Sequence, residues 1–223
     1  MKKAAYTFAT CLLIAFSSCK KEETPTTNNP EVTGNNYVKT VTFNDTLLIN
    51  AYAYDASWRI ISSEGDDSFT VDYATGTVTY ASETGQLNSN GYLVSKSDGT
   101  NYTYDNNGYL ISESDDVSTT QYFWSAEGNL TQEITTYASG VGVDTTALTY
   151  VYDLSKLNPI RGTEKMLEGK SSKNIITSIS YTSSFGSSST STFSYIYDSK
   201  GRIAVMNQTE GTSQFKFSLT YFD

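Results

Sequence analysis

Tyr102-Thr103-Tyr104-Asp105-Asn106-Asn107-Gly108-Tyr109-Leu110-Ile111 decides the fold. Tyr-x-Tyr sets two rings on one face of a strand, because side chains alternate. Asp bonds its own turn backbone, and Gly supplies the positive φ of a tight reversal. The aliphatic pair then opens a returning strand, so the phrase is one corner of a β-hairpin.

The phrase recurs. Tyr195-Ile196-Tyr197-Asp198-Ser199-Lys200-Gly201-Arg202-Ile203 is a second copy, and Tyr52-Ala53-Tyr54-Asp55-Ala56-Ser57-Trp58-Arg59-Ile60 is a third with Trp58 in place of the glycine. Asn88-Ser89-Asn90-Gly91-Tyr92-Leu93-Val94, Tyr122-Phe123-Trp124-Ser125-Ala126-Glu127-Gly128-Asn129-Leu130 and Tyr150-Val151-Tyr152-Asp153 are partial copies. Alternation between corners predicts about fourteen strands after residue 36. The last is the cleanest, with Phe215, Phe217, Leu219 and Tyr221 on one face and Lys216, Ser218 and Thr220 on the other. The expected fold is an all-β antiparallel meander. It must curl into an open or closed barrel, because twisted open sheets seldom exceed about ten strands. Residues 153–173 break the period of two. They read as a long crossing loop with room for one helical turn, either functional or a cover over one end of the sheet.

Composition agrees. The 223 residues include 18 Tyr, 30 Ser and 32 Thr but 3 Pro and 0 His. Thr and Tyr suit a pleated surface wet on one side, and 13% aromatics exceeds what disordered chains carry. Without His there is no Ser-His-Asp triad, no Cys-His pair and no His-ligated zinc. The net charge is −9, with no basic patch, so nucleic-acid binding is not expected.

The first residues are an address. Lys2 and Lys3 precede the apolar stretch Ala4–Phe16, too short to span a membrane as a helix. Ser17, Ser18 and Cys19 follow, the layout of a secretory signal. Cys19 after two small residues resembles a lipobox, with Phe16 where an aliphatic residue is usual. An ordinary signal cleaved near Ser18 is the alternative. Lys20, Lys21, Glu22 and Glu23 resemble the surface-export signal of Bacteroidetes lipoproteins, the alternative being a plain solvated tether. The expected organisation is a signal peptide over 1–18, a lipidated tether over 19–36 and one β domain over 37–223.

Two families resemble the chain. The phrase at 195–203 resembles the YD repeat of Rhs and teneurin-type shells, though the spacing here is irregular and the copies are few. Nearly the whole mature chain resembles a group of Bacteroidetes lipoproteins of unknown function with a porin-like fold. That likeness rests on Lys20–Glu23 after Cys19, the Gly91-Tyr92-Leu93 and Gly108-Tyr109-Leu110 corners, Asn158-Pro159, Gly169-Lys170-Ser171-Ser172-Lys173-Asn174-Ile175 and Tyr197-Asp198. It implies an outer-membrane location at the cell surface and no particular chemistry.

Site residues are few. Asp66-Asp67 and Asp115-Asp116 are paired acids in turns, where side chains seldom converge on a substrate, so no catalytic residue, metal or cofactor is assigned. Trp58, Tyr104, Tyr109 and Trp124 are the ligand-binding candidates, since aromatic rings stack on sugars; cross-strand ladders use the same residues. The expectation is a non-enzymatic surface lipoprotein that binds glycan or a partner protein and meets the membrane only through its lipid. The alternatives are an apolar-ligand carrier and, behind it, a carboxylate-based glycosidase. A concave face of Tyr and Thr weighs against the carrier. Cys19→Ala should move the protein from the membrane pellet to the soluble fraction. A variant that still pellets with membranes would refute the anchor.

Overall fold

A computed structural model describes residues 36–66, 68–139, 142–160 and 163–222. Cys19 and Lys20–Glu23 lie outside them. Eight strands fill the first half: β1 (Val38–Phe43), β2 (Leu47–Tyr54), β3 (Ile60–Gly65), β4 (Phe69–Asp72), β5 (Thr77–Tyr80), β6 (Thr84–Leu87), β7 (Leu93–Lys96) and β8 (Asn101–Tyr104). The second half holds β9 (Leu110–Ser114), β10 (Ser118–Trp124), β11 (Leu130–Ser139), β12 (Gly142–Leu157), β13 (Asn174–Ser183), β14 (Ser188–Tyr197), β15 (Ile203–Glu210) and β16 (Ser213–Tyr221). Each strand pairs antiparallel with the next, and β16 pairs with β1 through Val41↔Leu219 and Phe43↔Phe217, which closes the barrel.

The meander therefore has sixteen strands where about fourteen were expected. β6 is the strand that the sequence hides. Thr84-Gly85-Gln86-Leu87 lacks alternation because Gly85 leaves its place to Leu93, whose Cδ2 would lie 2.6 Å from a Cβ there. The crossing loop is also shorter than 153–173, since β12 runs on to Leu157. Its register to β13 slips between Asp153 and Leu157. Asn174 Nδ2 there donates to the carbonyls of Leu154 and Lys156, so the end of the strand has no period to read.

Five corners share one geometry, after Tyr54, Leu87, Tyr104, Trp124 and Tyr197. In the middle one, the Asp105 amide donates to the Tyr109 carbonyl at 2.9 Å and the Gly108 amide to the Asp105 carbonyl at 3.1 Å. Oδ1 of Asp105 accepts from the amides of Asn107 and Tyr109, both at 2.9 Å. Asp55, Asn88 and Asp198 make the same pairs of bonds with their own corners. At Asp198 burial pushes the carboxyl up, but the amide and guanidinium of Arg202 outweigh it and hold the group below the ordinary aspartate value. Every returning strand then carries one extra residue: Ile61, Val94, Ile111, Thr131 or Ala204. Such bulges sharpen twist and bend a strand, which helps a sheet close on itself.

Alternate meander turns fall at opposite ends of the barrel. One end collects all five corners, the turn at 73–76, the loop 158–173 and both described termini. The walls are unequal. β4 to β8 are four residues each, whereas β11, β13 and β14 have ten and β12 sixteen. Inside, Val38, Val41, Ile60, Val78, Leu93, Leu110, Leu130, Ile176, Ile203, Met206 and Phe217 form one buried cluster. The interior is thus more aliphatic than the Tyr and Thr face expected from the sequence. The residue before each bulge, Ile60, Leu93, Leu110, Leu130 or Ile203, supplies much of the difference.

Gly108 carries two constraints. Its φ is +86°, and a Cβ would lie 3.2 Å from the Tyr92 ring of the preceding corner. Gly108→Val should therefore lower stability by roughly 1–3 kcal/mol, while Ser112→Val, half-exposed on β9, should be nearly neutral. Denaturant midpoints of the two variants check this. A wild-type midpoint for Gly108→Val would remove the corner from the account.

Candidate functional site

The mouth with the corners is closed by the loop 158–173. Ile160 and Leu167 are each 1% exposed, as is Thr163. The 3-10 turn Glu164–Glu168 packs against β3, across the barrel from the β12 and β13 that carry the loop. The Lys170 amide donates to the Gly108 carbonyl at 2.9 Å and the Lys173 amide to the Gly128 carbonyl at 3.0 Å. Ser172 Oγ accepts from the Leu130 amide at 3.0 Å, and Asn129 and Asn174 bond side chain to side chain and side chain to backbone. Gly169 permits this approach, because a Cβ there would sit 2.7 Å from the Gly108 carbonyl oxygen. Of the two readings of the loop, cover over one end of the sheet describes this geometry.

Beneath the plug run two tiers of inward side chains. The upper tier caps backbone. Tyr73 Oη donates to the Ile60 carbonyl, Tyr104 to Leu93, Trp124 Nε1 to Leu110, Tyr152 to Leu130 and Tyr221 to Ile203, at 2.7–3.0 Å. These five carbonyls belong to the residue immediately before each bulge. The lower tier alternates tyrosine and glutamate over β8 to β12. Tyr102 faces Glu113 across the strands, and Tyr122 faces Glu133. Tyr122 Oη donates to Glu113 Oε2 at 2.9 Å, and Tyr150 Oη donates to the buried Glu133 at 2.6 Å. Burial, with Glu133, Glu113 and Glu168 nearby, pushes the Tyr122 hydroxyl far up. Tyr102 and Tyr104 are raised by burial and by Glu113 and Glu168. Burial pushes Tyr73 up to about 12. Neutral tyrosines beside carboxylates form a rigid donor array, and the hydroxyls of Tyr73, Tyr104, Tyr122, Tyr150, Tyr152 and Tyr221 are already spent on the protein itself.

The four sequence candidates do not converge. Tyr104 and Trp124 cap carbonyls of the upper tier. Tyr109 stacks on Trp124 with centroids 4.5 Å apart, under Lys170 Nζ at 5.5 Å. Trp58 stands apart, 37% exposed, stacked on Tyr37 at 4.8 Å and edge-on to Phe222. It holds φ +59° in the place of the glycine. Asp66 and Asp115-Asp116 sit in turns at the opposite end, where Asp115 accepts the amides of Val117 and Ser118; Asp67 lies outside the described residues. The inward glutamates, Glu113 half-buried and Glu133 buried, escape the sequence reading. Glu113 and Glu133 share the strand face of Leu110 and Leu130 only after the bulge is counted. Among the described residues no three acidic, cysteine or histidine side chains could together hold a metal ion.

Charge divides the ends. Among the described residues the plugged end has Lys39, Arg59, Lys156, Lys170, Lys173, Lys200 and Arg202 against Asp55, Asp72, Asp105, Glu127, Asp153, Glu168 and Asp198, and Asp55 and Asp198 each pair with an arginine. The far end has only Lys96 and Lys216, against Asp45, Glu64, Asp66, Glu83, Asp98, Asp115, Asp116, Asp144 and Glu210.

No family model and no curated protein matches the sequence. Solved structures do match. A porin-like protein from Bacteroides vulgatus aligns at TM-score 0.61 and 16% identity, over 83% of this chain and 99% of that one. A porin-like protein from Bacteroides uniformis aligns at TM-score 0.55 and 13% identity, over 86% of this chain and 100% of that one. The chain therefore has the porin-like fold of these two proteins. Nothing in the comparisons supports a YD-repeat kinship.

The tyrosine tiers set the alkaline limit of stability. A hydroxyl raised in the folded state leaves stability intact below the unfolded value near pH 10, and stability falls as pH rises beyond it. Tyr73, Tyr102, Tyr104, Tyr122, Tyr152, Tyr195 and Tyr221 should therefore ionise together with loss of β circular dichroism, not one by one. Absorbance at 295 nm followed alongside circular dichroism checks this. Gradual ionisation of these tyrosines from pH 10 with the β signal intact would contradict the tiers.

Proposed function

We propose that the chain is a non-catalytic lipoprotein of the outer envelope, a barrel tethered through Cys19 that binds glycan or a partner protein on its outside and conducts nothing through its middle. The plug is the observation that carries this reading. Ile160, Thr163 and Leu167 fill one mouth, and the side chains beneath them bond one another. A conduit needs a lumen, and a carrier needs space for a ligand. The cluster of Phe217, Met206, Ile203, Leu93 and Ile60 occupies that space with the protein's own atoms.

Strand length supports a barrel outside the bilayer. A membrane-crossing strand takes about 9–11 residues with an apolar outward face. Five consecutive strands here have four residues, and Lys216, Ser218 and Thr220 face away from the core on β16. The porin-like neighbours and the signal-like leader support an envelope location. The far end offers a partner the exposed Leu47, Leu48, Val117, Tyr137 and Phe185.

Full-length protein added to a planar bilayer should give no step conductance, and a glycan array or envelope extract should be bound on the outer surface. Discrete ohmic steps would overturn the closed reading. Replacing Lys20–Glu23 with Ala should reduce protease access on intact cells if that segment directs display. Unchanged access would leave it a tether.

A further inference from the structure

We propose that the plugged end is a membrane-docking face, so that the barrel stands end-on against the headgroup layer with its acidic far end outward. The inference rests on the Cys19 anchor and on three features of the fold, of which the first two set the direction and the third supplies the contact.

Topology is the first. β1 begins at the plugged end, so the tether delivers that end to the lipid. Seventeen residues, 20–36, can reach at most roughly 56–60 Å. The plugged end is therefore held at high effective concentration near the headgroups.

Charge is the second. Among the described residues seven basic and seven acidic groups balance at this end, whereas the far end has nine acids against two lysines. Lys39 lies over the Phe222 ring at 5.7 Å and Lys170 over Tyr109, which holds the ammonium groups at the rim. An anionic headgroup layer repels the far end and leaves this one free to approach.

Apolar exposure is the third. Leu154 is 67% exposed and Ile196 56%, on strands either side of β13 and close to the plugged mouth. Trp58 and Tyr197 are exposed at the same level. Tryptophan and tyrosine beside lysine and arginine match the chemistry of a bilayer interface. This is shallow contact with headgroups, not insertion.

The test uses full-length lipidated protein in vesicles of phosphatidylethanolamine and phosphatidylglycerol. Acylation blocks Cys19 and processing removes Cys11, so single labels can be placed at Ser57→Cys on the plugged end and Ser187→Cys at the far end, both exposed positions. A lipid carrying a headgroup quencher should dim the label at residue 57 several-fold more than the label at residue 187. Lys39→Glu, Lys170→Glu and Lys173→Glu together, with circular dichroism confirming the fold, should shrink that difference. Equal quenching at both positions in protein that floats with the vesicles would overturn the docking. So would a residue 57 label shielded from an aqueous quencher but untouched by the lipid one, which would place a protein there instead. Protein that does not float with vesicles would refute the anchor itself.

Discussion

The barrel depends on one hydrogen bond made five times. Each corner inserts a bulge, and the residue before it has a carbonyl that the interrupted ladder leaves without its regular partner. A buried carbonyl in that position costs on the order of 1–3 kcal/mol unless it is paired. The partner is always an aromatic donor from further along the sheet: Tyr73, Tyr104, Trp124, Tyr152 or Tyr221. The bulge supplies curvature and the aromatic removes its cost. Because the donor belongs to a different hairpin, each cap also fixes how far one hairpin is rotated relative to its neighbour. Tyr54 on the Val38 carbonyl and Tyr195 on the Ile176 carbonyl continue the same bond at strands that start without a corner.

The plug follows from these bonds. The corners bring Gly108 and Gly128 to one rim with their carbonyls facing the mouth, and the loop 158–173 uses them as acceptors. Ser172 joins the plug to the upper tier, since its Oγ meets the Leu130 amide and the Tyr152 hydroxyl at once. The loop is thus bonded into the machinery that closes the sheet. Asn158 and Asn174 hold its two ends, the first by accepting the Ile160 amide and the second by bonding Asn129. The mouth and interior of the barrel are thus filled by the protein's own side chains.

Much of this was legible in the sequence, and the illegible part has a physical cause. The Tyr-x-Tyr-Asp-x-x-Gly phrase announced the hairpins, and Trp58 kept a corner despite lacking the glycine because Asp55 and Arg59 still close it. What periodicity cannot reveal is an insertion. One bulged residue inverts the inside and outside of everything after it, so Glu113 and Glu133 read as solvent-facing when they are inward. Alternation reads the tyrosines as ring contacts alone, although it is their hydroxyls that bond the bulged strands. The closing of β16 on β1 is a contact between the two ends of the domain, and no local pattern encodes it.

The unequal walls give the molecule a direction. All corners align at the plugged rim, so differences in strand length emerge at the other end. Four-residue strands rise about 14 Å and ten-residue strands about 34 Å, so β11 to β14 project beyond β4 to β8 by about 20 Å. The acidic turns and Phe185 lie on that uneven rim. There the acids serve the backbone: the Asp98 carboxyl accepts the Thr100 amide, and Asp144 accepts the Ser184 hydroxyl. The level end carries the plug, the termini and the cations. The uneven end carries length, negative charge and exposed apolar tips. Sequence change on the tall strands can alter what the far end presents without touching the capped carbonyls that close the barrel. The scaffold and the presented surface are therefore separable, and the tier of aromatic caps is the boundary between them.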